Sequence, residues 1–119
     1  GTLPAELGLM TSLTSIDLYS NSFTGTLPTE LGRLTNLEAF ILDMNNMTGT
    51  LPTELGLMTP LLAILLGLNS FTGTLPTELG RLTRLQVLDV SENNLNGTVP
   101  VEITNVSFVE VAFEPQGNA

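Results

Sequence analysis

A single repetitive solenoid is the fold class that this sequence predicts, and three observations predict it. Gly-Thr recurs at a constant interval, at Gly1, Gly25, Gly49, Gly73 and Gly97. Within the second unit Leu27, Leu31, Leu34, Leu37, Phe40, Leu42 and Met47 are apolar, and units one, three and four keep apolar residues at the same offsets. One unit cannot enclose so many apolar side chains by itself, so stacked neighbours must cover them, and stability accumulates from nearest-neighbour contacts. Finally, the order Leu37-x-x-Phe40-x-Leu42-x-x-Asn45 alternates as one strand does, with inward residues two apart and a turn at the Asn. It returns as Leu13, Ile16, Leu18, Asn21, as Leu61, Ile64, Leu66, Asn69, and as Leu85, Leu88, Val90, Asn93.

The units are expected at 1–24, 25–48, 49–72 and 73–96, with a degenerate capping unit at 97–119, in one domain. In that last unit Ile103, Val106 and Val109 hold the core offsets, but Ala112, Glu114 and Gly117 stand where Ile, Leu and Asn are expected. Val109, Val111 and Phe113 alternate with Glu110, Ala112 and Glu114, which predicts a final strand in a shifted register that covers the core, ahead of a Pro115-Gln116-Gly117 tail. A longer period overlies the first. Units one and three share Gly-Leu-Met-Thr and Asn-Ser-Phe-Thr, while two and four share Gly-Arg-Leu-Thr, so the duplicated segment was a pair of units.

The segment Leu-x-x-Leu-x-Leu-x-x-Asn-x-Leu-Thr-Gly-x-Leu-Pro-x-x-Leu-Gly resembles the plant-type leucine-rich repeat of receptor ectodomains and secreted or surface proteins, from residue 1 to about 105. The resemblance implies an α/β solenoid with a parallel sheet on its concave side and a second short strand per rung, at Thr24-Gly25-Thr26-Leu27 in the second unit. Short helical, 3-10, turns are implied on the convex side; the one after Pro28 starts where a missing N–H costs nothing. It also implies that Asn21, Asn45, Asn69 and Asn93 form a buried amide ladder, because an Asn side chain can bond backbone groups that a turn leaves unpaired. An extracellular or cell-surface setting follows from the family. Its members usually end in paired cysteines, and this chain has none. Three Asn-x-Ser/Thr triplets, at Asn46, Asn96 and Asn105, are candidate glycosylation sites in such a setting.

Composition narrows the function classes. With 42% hydrophobic residues and 13% charged, the chain of 119 residues packs a core rather than staying disordered. Three Arg, no Lys and twelve carboxylates give a net charge of −9, which argues against nucleic acid and anionic membranes as partners. No apolar run reaches the ~18 residues of a membrane span. The chain opens inside a repeat at Gly1, so it is expected to be a piece of a larger protein whose uncovered first rung invites self-association. Without His, Cys or Lys, a Ser or Thr nucleophile lacks its usual base and zinc lacks its usual ligands, so no enzyme, metal or cofactor is expected. The column Glu6, Glu30, Glu54, Glu78 and Glu102 reads as a solvated stripe near helical N-termini, with Arg33 and Arg81 moderating its repulsion.

Two surfaces carry functional hypotheses. On the concave sheet the outward positions are Ser15, Asp17 and Tyr19, then Ala39, Ile41 and Asp43, then Ala63, Leu65 and Gly67, then Val87, Asp89 and Ser91. Ile41 and Leu65 make an apolar centre, Met44 and Leu68 stand at the strand exits, and Asp17 and Asp89 flank it, which is the anatomy of a protein- or peptide-binding patch. The second surface is the Thr-Gly-Thr segment. There Thr24 and Thr26 are expected to face one way roughly 7 Å apart, with Thr48 and Thr50 beside them at about 4.8 Å, Thr72 and Thr74 beyond, and Thr98 closing a flat grid. Such a grid resembles the ice-binding faces of antifreeze proteins and gives the alternative reading; a third is a structural or adhesive segment of a larger surface protein.

Overall fold

The computed structural model describes residues 1–106 and 109–114. The chain winds through five rungs. Concave strands β1 (Ser15–Asp17), β3 (Ala39–Ile41), β5 (Ala63–Leu65), β7 (Val87–Asp89) and β9 (Glu110–Ala112) pair in parallel in that order. A second parallel sheet holds β2 (Thr24–Gly25), β4 (Asn46–Thr50), β6 (Ser70–Gly73) and β8 (Asn94–Leu95). The convex side carries 3-10 turns at Ala5–Leu9, Thr29–Arg33, Thr53–Leu57 and Thr77–Arg81, and one α-helical turn, α1 (Val101–Thr104). The leucine-rich solenoid read from the sequence is the fold observed.

Each 3-10 turn follows a proline. Pro28, Pro52 and Pro76 hold φ near −70° and extended ψ, and their carbonyls accept from the N–H of Leu31, Leu55 and Leu79 at 3.1, 3.1 and 3.2 Å. Proline cannot donate, so it suits a helix start, where the N–H has no intrahelical acceptor. The glycine in each turn has a different cause. A Cβ on Gly80 would lie 2.6 Å from the Glu102 carbonyl oxygen, and one on Gly32 would lie 3.0 Å from Glu54 Cβ. Successive turns stack too closely for a side chain.

The core is a column of buried side chains between the sheets and the turns. Leu34, Leu37, Phe40, Leu42 and Met47 of the second rung are all fully buried, as are Met58, Leu61, Ile64, Leu66 and Phe71 of the third. In the first rung Leu7, Leu13, Leu18 and Phe23 are only half-buried, since a neighbour covers them on one side alone. The final strand pairs as Leu88↔Val111, a step one position shorter than those from Ile16 to Phe40, from Phe40 to Ile64 and from Ile64 to Leu88. That shift puts Val111 in the inward column, where the unbroken period would have put Ala112. The residues 115–119 of the expected tail lie outside the described residues, as do 107 and 108.

An Asn side chain fastens each strand exit. Asn45 Nδ2 donates to the Leu42 carbonyl of its own rung and the Leu18 carbonyl of the previous one, both at 2.9 Å, while its Oδ1 accepts from Phe23 N–H at 3.1 Å. Asn69 repeats the pattern with Leu66, Leu42 and Met47, and Asn93 with Val90, Leu66 and Phe71. Asn45 and Asn93 are buried and Asn69 half-buried, but the ladder expectation fails at Asn21, which is exposed and bonds only within its own rung, to the Leu18 and Tyr19 carbonyls. No rung covers it. The residue before each Asn is left-handed although none is glycine: Ser20, Met44, Leu68 and Glu92 have φ of 57, 61, 55 and 56°. A left-handed residue with a side chain costs roughly 1–2 kcal/mol, and the three amide bonds of a buried Asn offset it.

Truncating Asn93 to Ala leaves Phe71 N–H and the Leu66 carbonyl without that partner, so Asn93→Ala is expected to cost about 2–4 kcal/mol in urea unfolding. Asn21→Ala, at the exposed end of the column, is expected to cost under about 1 kcal/mol; equal losses at both positions would contradict the ladder's dependence on burial.

Candidate functional site: the concave sheet

Strand pairing aligns the outward positions into columns across the concave face. One runs Ser15, Ala39, Ala63, Val87 and Glu110, and the next Asp17, Ile41, Leu65, Asp89 and Ala112. At the strand exits Tyr19, Asp43, Gly67 and Ser91 follow at the same repeat offset, then the left-handed residues. Ile41 and Leu65 are direct register partners and both half-buried, which leaves an apolar strip open to solvent in the middle of the sheet. Tyr19, Met44 and Leu68 are 53, 42 and 51% exposed, high values for large apolar side chains, and they extend that strip along the exits.

The acidic residues play different parts. Asp17 Oδ1 accepts from Tyr19 N–H at 3.2 Å, and Asp89 Oδ1 accepts from Ser91 N–H at 3.0 Å and Ser91 Oγ at 2.6 Å. Both carboxylates therefore shape the strand exit as well as the surface, a role that the sequence reading missed. The Asp-x-Tyr and Asp-x-Ser spacing carried the signal, since an Asp side chain commonly bonds the N–H two residues on. Asp43, two residues beyond that column, has a buried Oδ1 with no hydrogen-bond partner. Burial raises its carboxyl above the ordinary aspartate pKa; its own backbone N–H opposes the shift, and the charges of Asp89 and Asp17 add to it.

The Thr segments depart from the expected grid. Gly25, Gly49, Gly73 and Gly97 have φ of 79 to 82°, which interrupts strand alternation between the flanking Thr residues. The second sheet steps by two positions less than the repeat interval: Thr24 faces Asn46, Thr48 faces Ser70, and Thr72 faces Asn94, leaving Thr50↔Thr72 and the isolated bridge Thr2↔Thr24 as the Thr–Thr register pairs among the described residues. Thr26, Thr50 and Thr74 instead approach the glycine of the next rung, Thr26 Cγ2 coming within 2.6 Å of where a Cβ on Gly49 would lie. Thr24 and Thr48 hydroxyls point back at the carbonyls of Gly1 and Gly25, at 3.5 and 3.4 Å. Thr98 is exposed beyond β8.

On the convex side Thr29, Thr53 and Thr77 hydroxyls contact the carboxylates of Glu30, Glu54 and Glu78 at 3.3 to 3.4 Å. Asn46, Asn96 and Asn105 are all exposed, and Asn105 borders an open depression of about 400 Å³ that Glu78, Arg81 and Glu102 also line. Among the described residues no group of three His, Cys, Asp or Glu converges as metal ligands, and no helix is long and apolar enough to cross a membrane.

Comparison with known proteins places this geometry. The Leucine Rich Repeat family profile matches residues 12–34 and 84–106, while no curated protein sequence matches. Among solved structures, the plant peptide hormone receptor RGFR1 in complex with RGF2 is similar at 32% identity and TM-score 0.91, over 93% of this chain and 18% of that one. The Arabidopsis receptor kinase HAESA, solved with the peptide hormone IDA and the co-receptor SERK1, is similar at 35% identity and TM-score 0.88, over 93% of this chain and 19% of that one. A plant ice-binding protein at 23% identity and TM-score 0.84, over 93% of this chain and 39% of that one, shares the fold. The chain spans about a fifth of the receptors' length. Its rungs are leucine-rich repeats of the plant type, and the chain resembles plant receptor ectodomains.

Two outcomes test this site. A carboxyl whose folded pKa is raised is destabilising once ionised: its contribution is intact below the unfolded pKa and is lost as pH rises through the folded one. Asp43→Asn is therefore expected to raise the melting temperature near neutral pH, with the gain vanishing in acid below the ordinary aspartate range; a gain independent of pH would rule out the ionisation cause. Leu68→Gly removes the left-handed cost and adds only the flexibility cost of glycine, so unfolding is expected to show a change between zero and about 1 kcal/mol of stabilisation.

Proposed function

We propose that this chain is a non-enzymatic recognition module that binds a protein or peptide through its concave face, in an extracellular or cell-surface setting. The observation that carries this reading is the Ile41–Leu65 strip, open to solvent on a face that the core does not need and continued by Tyr19, Met44 and Leu68 at the exits. An apolar centre with a charged rim of Asp17, Asp43 and Asp89 is how binding patches are built. Similarity to receptors solved with peptide hormones supports the same class of partner.

The ice-binding alternative lacks equal support, because the second sheet pairs Thr with Asn and Ser where a continuous Thr grid was expected.

Peptide-display selection on the immobilised chain tests the proposal. Binders are expected to lose at least about tenfold in affinity on Ile41→Asp or Leu65→Asp, each at a half-buried surface position, with melting temperature little changed. Selected peptides indifferent to both substitutions would sink the concave-face reading.

A further inference from the structure

The charge pattern of the concave face goes further than a binding patch requires. Asp17, Asp43, Asp89 and Glu110 all lie on it, and none of the three cations of the chain does. Arg33 and Arg81 close 3-10 turns on the convex side, and Arg84 precedes β7. Residues of one sign on one face, without a partner of the other sign, repel one another and steer an oppositely charged ligand toward it.

Gly67 gives this field a focus. It stands at the repeat offset that Tyr19, Asp43 and Ser91 occupy on the other rungs, and it is buried, so it sets no side chain of its own between its neighbours. A Cβ there would sit 3.3 Å from Asp89 Oδ1 and 3.3 Å from the Ser91 carbonyl oxygen, so the Asp89 carboxylate covers this glycine from one side. Asp43 stands one rung away on the other side, half-buried. Asp89 already accepts two bonds from Ser91, but a carboxylate offers about four acceptor sites. Beside these carboxylates runs the Ile41–Leu65 strip.

We infer that the ligand is a basic, extended peptide segment, which lays an apolar side chain on Ile41 and Leu65 and sets an arginine against the carboxylates of Asp43 and Asp89. This rests on the concave-face reading and names the chemistry of its partner. In an extended chain alternate side chains face the same way, so the matching pattern is an apolar residue and an arginine two positions apart. Guanidinium is the better cation here than ammonium, because its flat fork of donors can serve two carboxylates at once.

The test is fluorescence anisotropy with labelled synthetic peptides repeating Leu-Ser-Arg-Ser, Leu-Ser-Glu-Ser or Ala-Ser-Arg-Ser. The first is expected to bind about tenfold or more tightly than either other, the size of one charge-assisted contact. Asp43→Asn is expected to weaken it about tenfold. Gly67→Ala, whose Cβ would crowd Asp89 Oδ1 without changing charge, should weaken it comparably, provided that its melting temperature stays near that of the parent chain. The convex pair Glu54→Gln and Glu78→Gln together should leave affinity within about twofold, since they alter net charge away from the face. Equal losses in the convex pair and in Asp43→Asn would reduce the effect to bulk attraction and overturn the inference. Preference for the Leu-Ser-Glu-Ser peptide, abolished by Leu65→Asp, would overturn the basic ligand and leave the concave face standing. Peptide binding indifferent to Leu65→Asp, or no binding at all, would overturn the basic-peptide inference, and the former would overturn the concave-face reading with it.

Discussion

The rest of this structure depends on one amide per rung. Where the chain leaves the concave sheet it must turn sharply, and the turn strands backbone groups inside the solenoid where water cannot reach them. Asn45, Asn69 and Asn93 solve both problems together. Each donates to carbonyls of two successive rungs and accepts an N–H from the earlier one, so the side chain is a local turn clamp and an inter-rung bond at once. A buried polar group is tolerable only when its partners are present, and here the partners exist only once two rungs are stacked. Cooperativity between neighbours is therefore polar as well as hydrophobic, which leucine packing alone does not convey.

Much of the fold was legible because it is periodic. Leu37, Phe40 and Leu42 are apolar at the same offsets as Leu61, Ile64 and Leu66, and a side chain that recurs through every unit has one reading, the core. The broken register at Val111 was legible too, since the alternation Val109, Val111, Phe113 no longer matched the period. The second sheet was not. Its shortened step is a property of how two rungs pair, and nothing in a Thr-Gly-Thr triplet records which residue of the next rung it will face. Exposure of Asn21 escaped the reading for a related reason: four identical letters in a column do not say which of them has a neighbour on both sides.

The candidate site was legible as a list of positions but not as an environment. Register alone put Ile41 beside Leu65 and Asp17 and Asp89 at the flanks, and the strand pairing agrees. What register could not give is the difference between three aspartates. Asp17 and Asp89 bond the backbone two residues on, whereas Asp43 sits two residues past the end of its strand and has a buried Oδ1 that accepts no hydrogen bond. Sequence spacing separates these cases once the turn geometry is known, and the turn geometry is what a single sequence leaves open.

The left-handed residues have a consequence for variation. Ser20, Met44, Leu68 and Glu92 share one backbone shape while their side chains are small, flexible, branched and charged in turn. Torsion there is imposed by the neighbouring amide, which makes the position indifferent to what it displays. Along the rim the solenoid thus has a column of interchangeable fixtures, spaced by the rungs and independent of the core. Randomising those positions would generate a library of surfaces on a constant frame, and drift through the same positions would let duplicated units diverge in what they touch without renegotiating how they stack.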